Sequence, residues 1–426
     1  MKSFHPFEIY KFNLLAFLVI SMAMFSPTHA APLTDIAPLP ATQLCWAVGV
    51  NNAGSVVGNC VDTVTGNDEE FIRTLDGTVR VLPALSAGRR CDVVALNDAN
   101  TVVGMCDDGT GAESPTLWSA AGGTPIKLSP AGLATGASVQ AINADAWAIG
   151  TESNGGSPRA VLWTPSGRSM APHELPLPGL LGLGWEGCSG TTLSNATLNH
   201  PANLVGTCLQ RVSNGDQIKV AVAWSSDPLL GYIATPLPGL GAGPCNIAAV
   251  NAAAQATGTC TDSNGIDHAV FWPTLSNTAA IVALGAIDGH STAGSWAVSL
   301  NSNGQVAGQY KVNGEARGFY WNPAQGNTTG QAIGTLGGAV TQVSCINGSG
   351  GSPAVVVGKS ETSSTGQMHA YSWTPGNSMP IDLGVESGGA NSGSSCITDA
   401  GYIAGASETT QGNGNLTWHA FITQTK

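Results

Sequence analysis

Along this chain, runs of about four to eight residues alternate apolar or β-branched side chains with small or polar ones. Asn, Asp, Gly and Ser cut the runs off again and again, the pattern of short strands joined by tight turns. One phrase carries it: Asn51-Asn52-Ala53-Gly54-Ser55-Val56-Val57-Gly58. The phrase returns with variations seven more times, ending at Gly104, Gly150, Gly206, Gly258, Gly308, Gly358 and Gly405. The steps between these marker glycines are 46, 46, 56, 52, 50, 50 and 47 residues, which marks a repeat architecture. An Asn stands seven residues before the glycine at Asn51, Asn97, Asn143, Asn251 and Asn301, and Thr398 takes that place before Gly405. The spacing grows to 11 from Asn347 to Gly358 and to 12 from Ser194 to Gly206. Polar and small residues fill both insertions, so the Asn and the Gly lie on opposite sides of a turn.

Each unit reads as four strands. The first ends at the Asn, as in Asp92–Asn97, and the second carries the marker, as in Thr101–Gly104. The third ends in Trp at Trp118, Trp163, Trp224, Trp272, Trp321 and Trp373, and in several units opens on a His-Ala or similar pair, as in His268–Trp272. The fourth is a Leu/Pro/Gly phrase, such as Val81–Leu85, Leu175–Gly179 or Ile333–Gly338. Six Trp at one repeat position read as packing between neighbouring sheets, with sugar stacking as the alternative. Arg73 and Thr423 stand there in units 1 and 8, which predicts weaker contacts at those two places.

His419-Ala420-Phe421, with the near matches His369-Ala370-Tyr371 and His268-Ala269-Val270, resembles the bacterial extracellular HAF-repeat family. Leu336-Gly337-Gly338 and the Ile/Leu-Asn-x-x-Gly turn are similar as well. The resemblance spans essentially the whole chain after its leader, although most units lack the His. It implies an exported repeat protein and brings no catalytic residues.

Four strands in 40–50 residues fit a propeller blade, and rings hold about four to eight blades. The expected fold is all-β: an eight-bladed propeller of four-stranded antiparallel blades, with the Asn-ending strand innermost. A seven-bladed ring and an open β-solenoid are the competing architectures. Unit 8 stops after its third strand, Phe421-Ile422-Thr423, while Leu33–Leu39 resembles a fourth strand standing alone at the N-terminus. Pairing the two would close the ring and remove an open edge.

Cysteines test the hairpin. Cys45 and Cys60, Cys91 and Cys106, and Cys245 and Cys260 each lie 15 residues apart, symmetrically about a turn, and Cys188 and Cys208 straddle the longer turn of unit 4. Asn51 to Gly54 suits a type I turn. A four-residue loop would make residues 50 and 55 the first pair and set Cys45 opposite Cys60 at a non-hydrogen-bonded site, where side chains approach closely. Each such bridge closes a loop worth about 3 kcal/mol of chain entropy. Cys345 and Cys396, two residues before their units' Asn or Thr, either bridge blades 7 and 8 or stay free. Zinc spacing of the Cys-x-x-Cys kind is absent.

Composition narrows the setting. Met1 to Ala30 reads as a secretory signal: Lys2 and Lys11, an apolar run from Leu14 to Phe25, and Thr28-His29-Ala30 for cleavage. That run is short for a membrane anchor, which needs about 20 residues. One propeller domain over residues 31–426 is expected, secreted or periplasmic and monomeric, with no membrane span. Of 15 basic and 27 acidic side chains, Lys2, Lys11 and Glu8 fall in the leader, leaving 13 and 26 and a net charge of −13. That balance argues against nucleic acid and anionic membrane as partners.

Candidate chemistry is sparse. His268, His369 and His419 share one repeat position and are expected to hydrogen-bond within their blades. No nucleophile elbow or phosphate loop occurs. Asp262–Asp267 and Asp107–Glu113 look like calcium loops without the full spacing, so no cofactor is expected and calcium is the only candidate. Two functions remain: a non-catalytic module binding a glycan, peptide or protein through one face of the ring, or a propeller hydrolase or lyase at the channel mouth. Three or more convergent, non-equivalent titratable side chains at that mouth would indicate the enzyme.

Overall fold

The computed structural model describes residues 32–36, 43–62, 68–119, 123–179, 182–198, 200–284, 287, 294–326, 329–348, 353–363, 366–410 and 414–425. The expected leader, residues 1–30, and residues 37–39 of the expected closing phrase lie outside this set. Eight four-stranded antiparallel sheets follow one another as the blades of a β-propeller. Blade 1, for example, is Gln43–Val50, Val56–Asp62, Asp68–Arg73 and Val79–Val81 in that spatial order. Each first strand touches the first strands of both neighbouring blades, and that of blade 8 touches that of blade 1, so these strands form the inner ring. The fourth strand of blade 8 comes from the N-terminus: Thr34, Asp35 and Ile36 pair with Ile422, Phe421 and Ala420.

The turn differs from the expected one in register. Gly54 N–H does donate to Asn51 O at 2.9 Å, but the first strand pair beyond the turn is Val50 with Val56 rather than residue 50 with 55. A β-bulge between Ala47 and Gly49 then restores the count, so Cys45 faces Cys60. Every blade carries this bulge in its first strand at the same place. It explains the marker glycines, because the bulge presses a first-strand carbonyl against each of them. A Cβ at Gly58 would lie 2.2 Å from Trp46 O, and one at Gly150 1.9 Å from Ser138 O.

The outer strands also lie earlier in the chain than the Leu/Pro/Gly phrases suggest, and in several blades they are shorter. In blade 1 the strand is Val79–Val81, and in blade 6 it is Gln331–Ala332; the phrase is the exit from the strand. Its first apolar residue is buried and makes one last bond to the third strand, Leu82 N–H to Glu70 O and Ile333 N–H to Gly318 O, both at 2.8 Å.

Blades are glued by aromatic rings. Each of the six Trp is buried against the preceding blade: Trp118 lies with Val57, Ile72 and Leu82 of blade 1, and Trp224 with Ile149, Leu162 and Leu175 of blade 3. Four of them donate their indole N–H to that blade's exit phrase, Trp118 to Pro83 O and Trp272 to Pro238 O at 2.8 Å, for instance. Blades 1 and 8, with Arg73 and Thr423 at the Trp position, still place an aromatic ring in their seams. Phe71 and Phe421, two residues upstream of Arg73 and Thr423, bury their rings against blades 8 and 7, at the place that Phe319 and Tyr371 hold beside Trp321 and Trp373 in blades 6 and 7.

The structure joins Cys45 to Cys60, Cys91 to Cys106, Cys188 to Cys208 and Cys245 to Cys260, with Cα atoms 3.9 to 4.1 Å apart. Cys345 and Cys396 are bonded across the inner strands of blades 7 and 8. Five disulfides suit an oxidising compartment. The four blades without a hairpin bridge place a polar side chain at the same site and turn it toward the preceding blade. Glu152 Oε2 accepts from Ala131 N–H at 2.6 Å, Ser295 Oγ from Ala269 N–H at 3.0 Å, Ser360 Oγ from Leu336 N–H at 3.0 Å and Ser392 Oγ from Ala370 N–H at 2.8 Å. No helix among the described residues is long and apolar enough to cross a membrane.

One buried acid makes stability depend on pH. Glu70 is 3% exposed, and its Oε1 has no partner. Burial, helped by the Asp92 and Asp68 carboxylates and opposed by backbone N–H groups, pushes its carboxyl up to about 8 from 4.5. The folded protein therefore keeps a proton that the unfolded chain has released, so stability falls as pH rises from about 4.5 to about 8 and is flat above. Glu70→Gln should flatten that window and be roughly 1–3 kcal/mol more stable than the parent at alkaline pH. Melting temperature against pH, from 5 to 9, checks this; parallel curves for the two proteins would contradict it.

Candidate functional site

The site begins with the apolar residue that ends each inner strand. Val50, Leu96, Ile142, Leu193, Val250, Leu300, Ile346 and Ile397 point their ends of the blades at the channel axis, and the turns that follow form its rim. Together they line a cavity of about 360 Å³ to which all eight blades contribute.

The recurring Asn is buried at that rim and does two jobs. Its Oδ1 accepts backbone N–H groups of its own turn: for Asn97, those of Ala99 at 3.0 Å and Thr101 at 2.9 Å. Its Nδ2 reaches into the next blade and donates to the carbonyl of the equivalent residue. Asn51 binds Asn97 O, Asn97 binds Asn143 O and Asn143 binds Ser194 O. Asn251 binds Asn301 O, Asn301 binds Asn347 O and Asn347 binds Thr398 O, all six between 2.8 and 3.1 Å. Blade 4 has Ser194 in that place, and its inserted loop supplies Asn203, whose Nδ2 donates to Asn251 O at 3.1 Å. At the seam between blades 8 and 1, Thr398 has no amide to offer. There Ala400 N–H donates to Asn52 Oδ1 at 3.1 Å, and Ser395 Oγ to Ala47 O at 2.6 Å.

Turn formation alone did not require Asn, since Asp makes the same turn. An amide adds two donors to the acceptor, which a carboxylate lacks, and its recurrence was the available signal for a bond leaving the blade.

Two titratable side chains line the mouth among the described residues, Asp98 and Asp399. Both are tied into the rim: Asp98 accepts from Asn52 N–H and Nδ2 at 2.9 and 3.0 Å, and Asp399 from Gly348 N–H at 2.9 Å. A second cavity, about 480 Å³, lies between blades 7 and 8 and is lined by Lys359, Met368, Asn391, Ser394 and half-buried Trp418.

The histidines are not at the mouth. Each faces an Asp of its own blade: His268 Nε2 lies 3.1 Å from Asp262, His369 Nδ1 2.9 Å from Asp382 and His419 Nδ1 3.1 Å from Asp35. In the calcium-like loops the carboxylates fold onto their own chain. Asp262 takes the Ile266 and Asn264 N–H groups; the Ile266 bond foremost, with His268 and Asn264, holds it down to about 2. Asp108 is held well below the usual carboxylate range, first by Lys127 at 2.8 Å and then by Thr110. A calcium ion at Asp108 would have to displace that lysine.

Fold and rim define the class, a disulfide-linked eight-bladed propeller with an amide ring at one channel mouth. By sequence the chain matches no known family and no curated protein. Solved structures are similar in fold. A chain from a structural and mechanistic study of two prolyl endopeptidases aligns at TM-score 0.51 and 12% identity, over 90% of this chain and 53% of that one. TolB from Acinetobacter baumannii aligns at 0.37 and 13%, over 66% and 61%. Trypanosoma rangeli sialidase in complex with the inhibitor DANA aligns at 0.32 and 10%, over 92% and 55%. The chain thus spans between 53% and 61% of the length of these proteins.

Proposed function

We propose that the protein is an exported, non-catalytic binding module of the HAF-repeat kind that takes a glycan or the end of a peptide at the amide-ringed channel mouth. The observation that carries this reading is the state of the mouth's acids. Hydrolysis needs an acid or base free to move a proton; Asp98 and Asp399 instead accept backbone N–H groups of the neighbouring blade. Eight turns around one small cavity supply many shallow polar contacts, which suit a neutral or cationic polar ligand. A glycan and peptide array probed with the protein tests it. Plugging the mouth with Ser302→Trp, an exposed rim position, should abolish the selected binding while the fold is kept. Binding lost instead with Trp418→Ala would move the site to the groove between blades 7 and 8. Turnover of a captured substrate would make the protein an enzyme.

A further inference from the structure

The N-terminal strand carries an acid to a place where two other ligand-type side chains already stand. Asp35, His419 of the third strand of blade 8, and Glu386 from the segment leading into blade 8 each present a ligand atom, all within 4.8 Å of one another. His419 Nδ1 faces both Asp35 oxygens at 3.1 Å. Its other nitrogen, Nε2, is shut off from solvent with no partner, and so are both carboxylate oxygens of Glu386. The Glu386 backbone is fixed there by its N–H bond to Ser407 Oγ at 2.8 Å. Desolvated carboxylate oxygens without a donor are costly, and buried charge is ordinarily paired or bound to metal.

Blade 7 supplies an internal comparison. His369 and Asp382 hold the equivalent places, with Asp382 opposite Tyr371 as Asp35 is opposite Phe421. No third His, Cys, Asp or Glu joins that pair among the described residues. Blades 7 and 8 thus share the His–Asp pair, and among the described residues the closing blade adds to it a glutamate with bare oxygens.

We propose that Asp35, Glu386 and His419 form a divalent transition-metal site, zinc first, that pins the N-terminal strand onto the last blade and so couples metal binding to ring closure. One imidazole and two carboxylates suit Zn²⁺ or Mn²⁺; calcium prefers an all-oxygen set. Zinc bonds of about 2.0–2.2 Å require the three atoms to draw closer by side-chain rotation. Asp35, with 44% of its side chain exposed, has room to rotate and gives the ion a way in from solvent, and water completes the coordination.

The test is titration calorimetry of the chelator-treated protein with ZnCl₂, MnCl₂ and CaCl₂, alongside its melting temperature with and without each ion. One zinc per chain, binding at least tenfold tighter than calcium and raising the melting temperature, is the expected result. Glu386→Gln, which keeps the side-chain shape, and His419→Gln should each weaken zinc at least tenfold, while His369→Gln leaves it unchanged. Absence of stoichiometric zinc overturns the site, as does binding that survives Glu386→Gln or is lost equally with His369→Gln. Zinc bound through these residues without a rise in melting temperature overturns the latch.

Discussion

Removing residues 33–36 should lower the melting temperature by about 3 °C or more and make the protein scatter light on standing. Ile36 is buried among Cys45, Ala47, Val56 and Phe71 of blade 1 and Ala404, Ala420 and Ile422 of blade 8, so the strand fills the seam between the first and last blades. Loss of a buried Ile side chain costs about 2–5 kcal/mol once the cavity is counted, and at about 2.1 cal/mol/K of unfolding entropy per residue a ring this large moves its midpoint by roughly 1 °C per kcal/mol. Thr34 and Asp35 add strand pairing, and Asp35 adds its contact with His419. The deletion also bares the edge of Leu416–Gln424 at Ala420, Phe421 and Ile422, where the strand then keeps partners on one side alone, and such an open edge templates association. A repeat array open at its ends would lose stability in small increments; a ring whose seam is unzipped should lose more. Scanning calorimetry and light scattering of the two proteins decide it. Unchanged values in both would mean that the N-terminal strand contributes nothing to closure.

The fold was legible because the repeat made each unit vote eight times. Chance alternation at Asp92–Leu96 means little; the same alternation before each marker glycine means a strand. Closure was legible because the chain ends one strand short where it also begins one strand early. What escaped were features that repeat without a distinctive residue. The bulge at Val48, Val94 and their equivalents leaves no fixed side chain behind, since the extra residue is Val, Gln, Thr, Ala or Ser. The rings of Phe71 and Phe421 were visible in the letters, but placing them in the seams required knowing that residues two apart on a strand share a face and that a ring can enter the same interface from either position. The Asp35–Glu386–His419 cluster joins residues from both ends of the chain, and no local spacing announces it. Asp98 and Asp399 are rim residues that a search for catalytic clusters passes over, and the structure shows what they hold.

Gly150→Ala should be among the most damaging single methyl additions in the protein, costing about 3 kcal/mol or more. Gly150 pairs with Val139 just before the bulge, and a Cβ there would sit 1.9 Å from Ser138 O, 2.9 Å from Ser138 C and 3.0 Å from Val139 Cα. All three are backbone atoms, so no rotamer change relieves the clash; either the bulge opens or the two strands part. Both responses move Ala141 and Ile142 at the end of the inner strand, and with them Asn143, whose Nδ2 bond to Ser194 O joins blades 3 and 4. Gly136→Ala lies on the neighbouring first strand of the same blade and serves as the control, because a Cβ there meets nothing within 4 Å. It should be neutral or slightly stabilising, by about 0.4–1 kcal/mol from the stiffer unfolded chain. Denaturant unfolding of the two variants beside the parent gives the comparison. Should Gly150→Ala unfold with the parent, the carbonyl over the marker glycine is not what fixes glycine at that place, and the bulge would have to be mobile enough to accept a side chain.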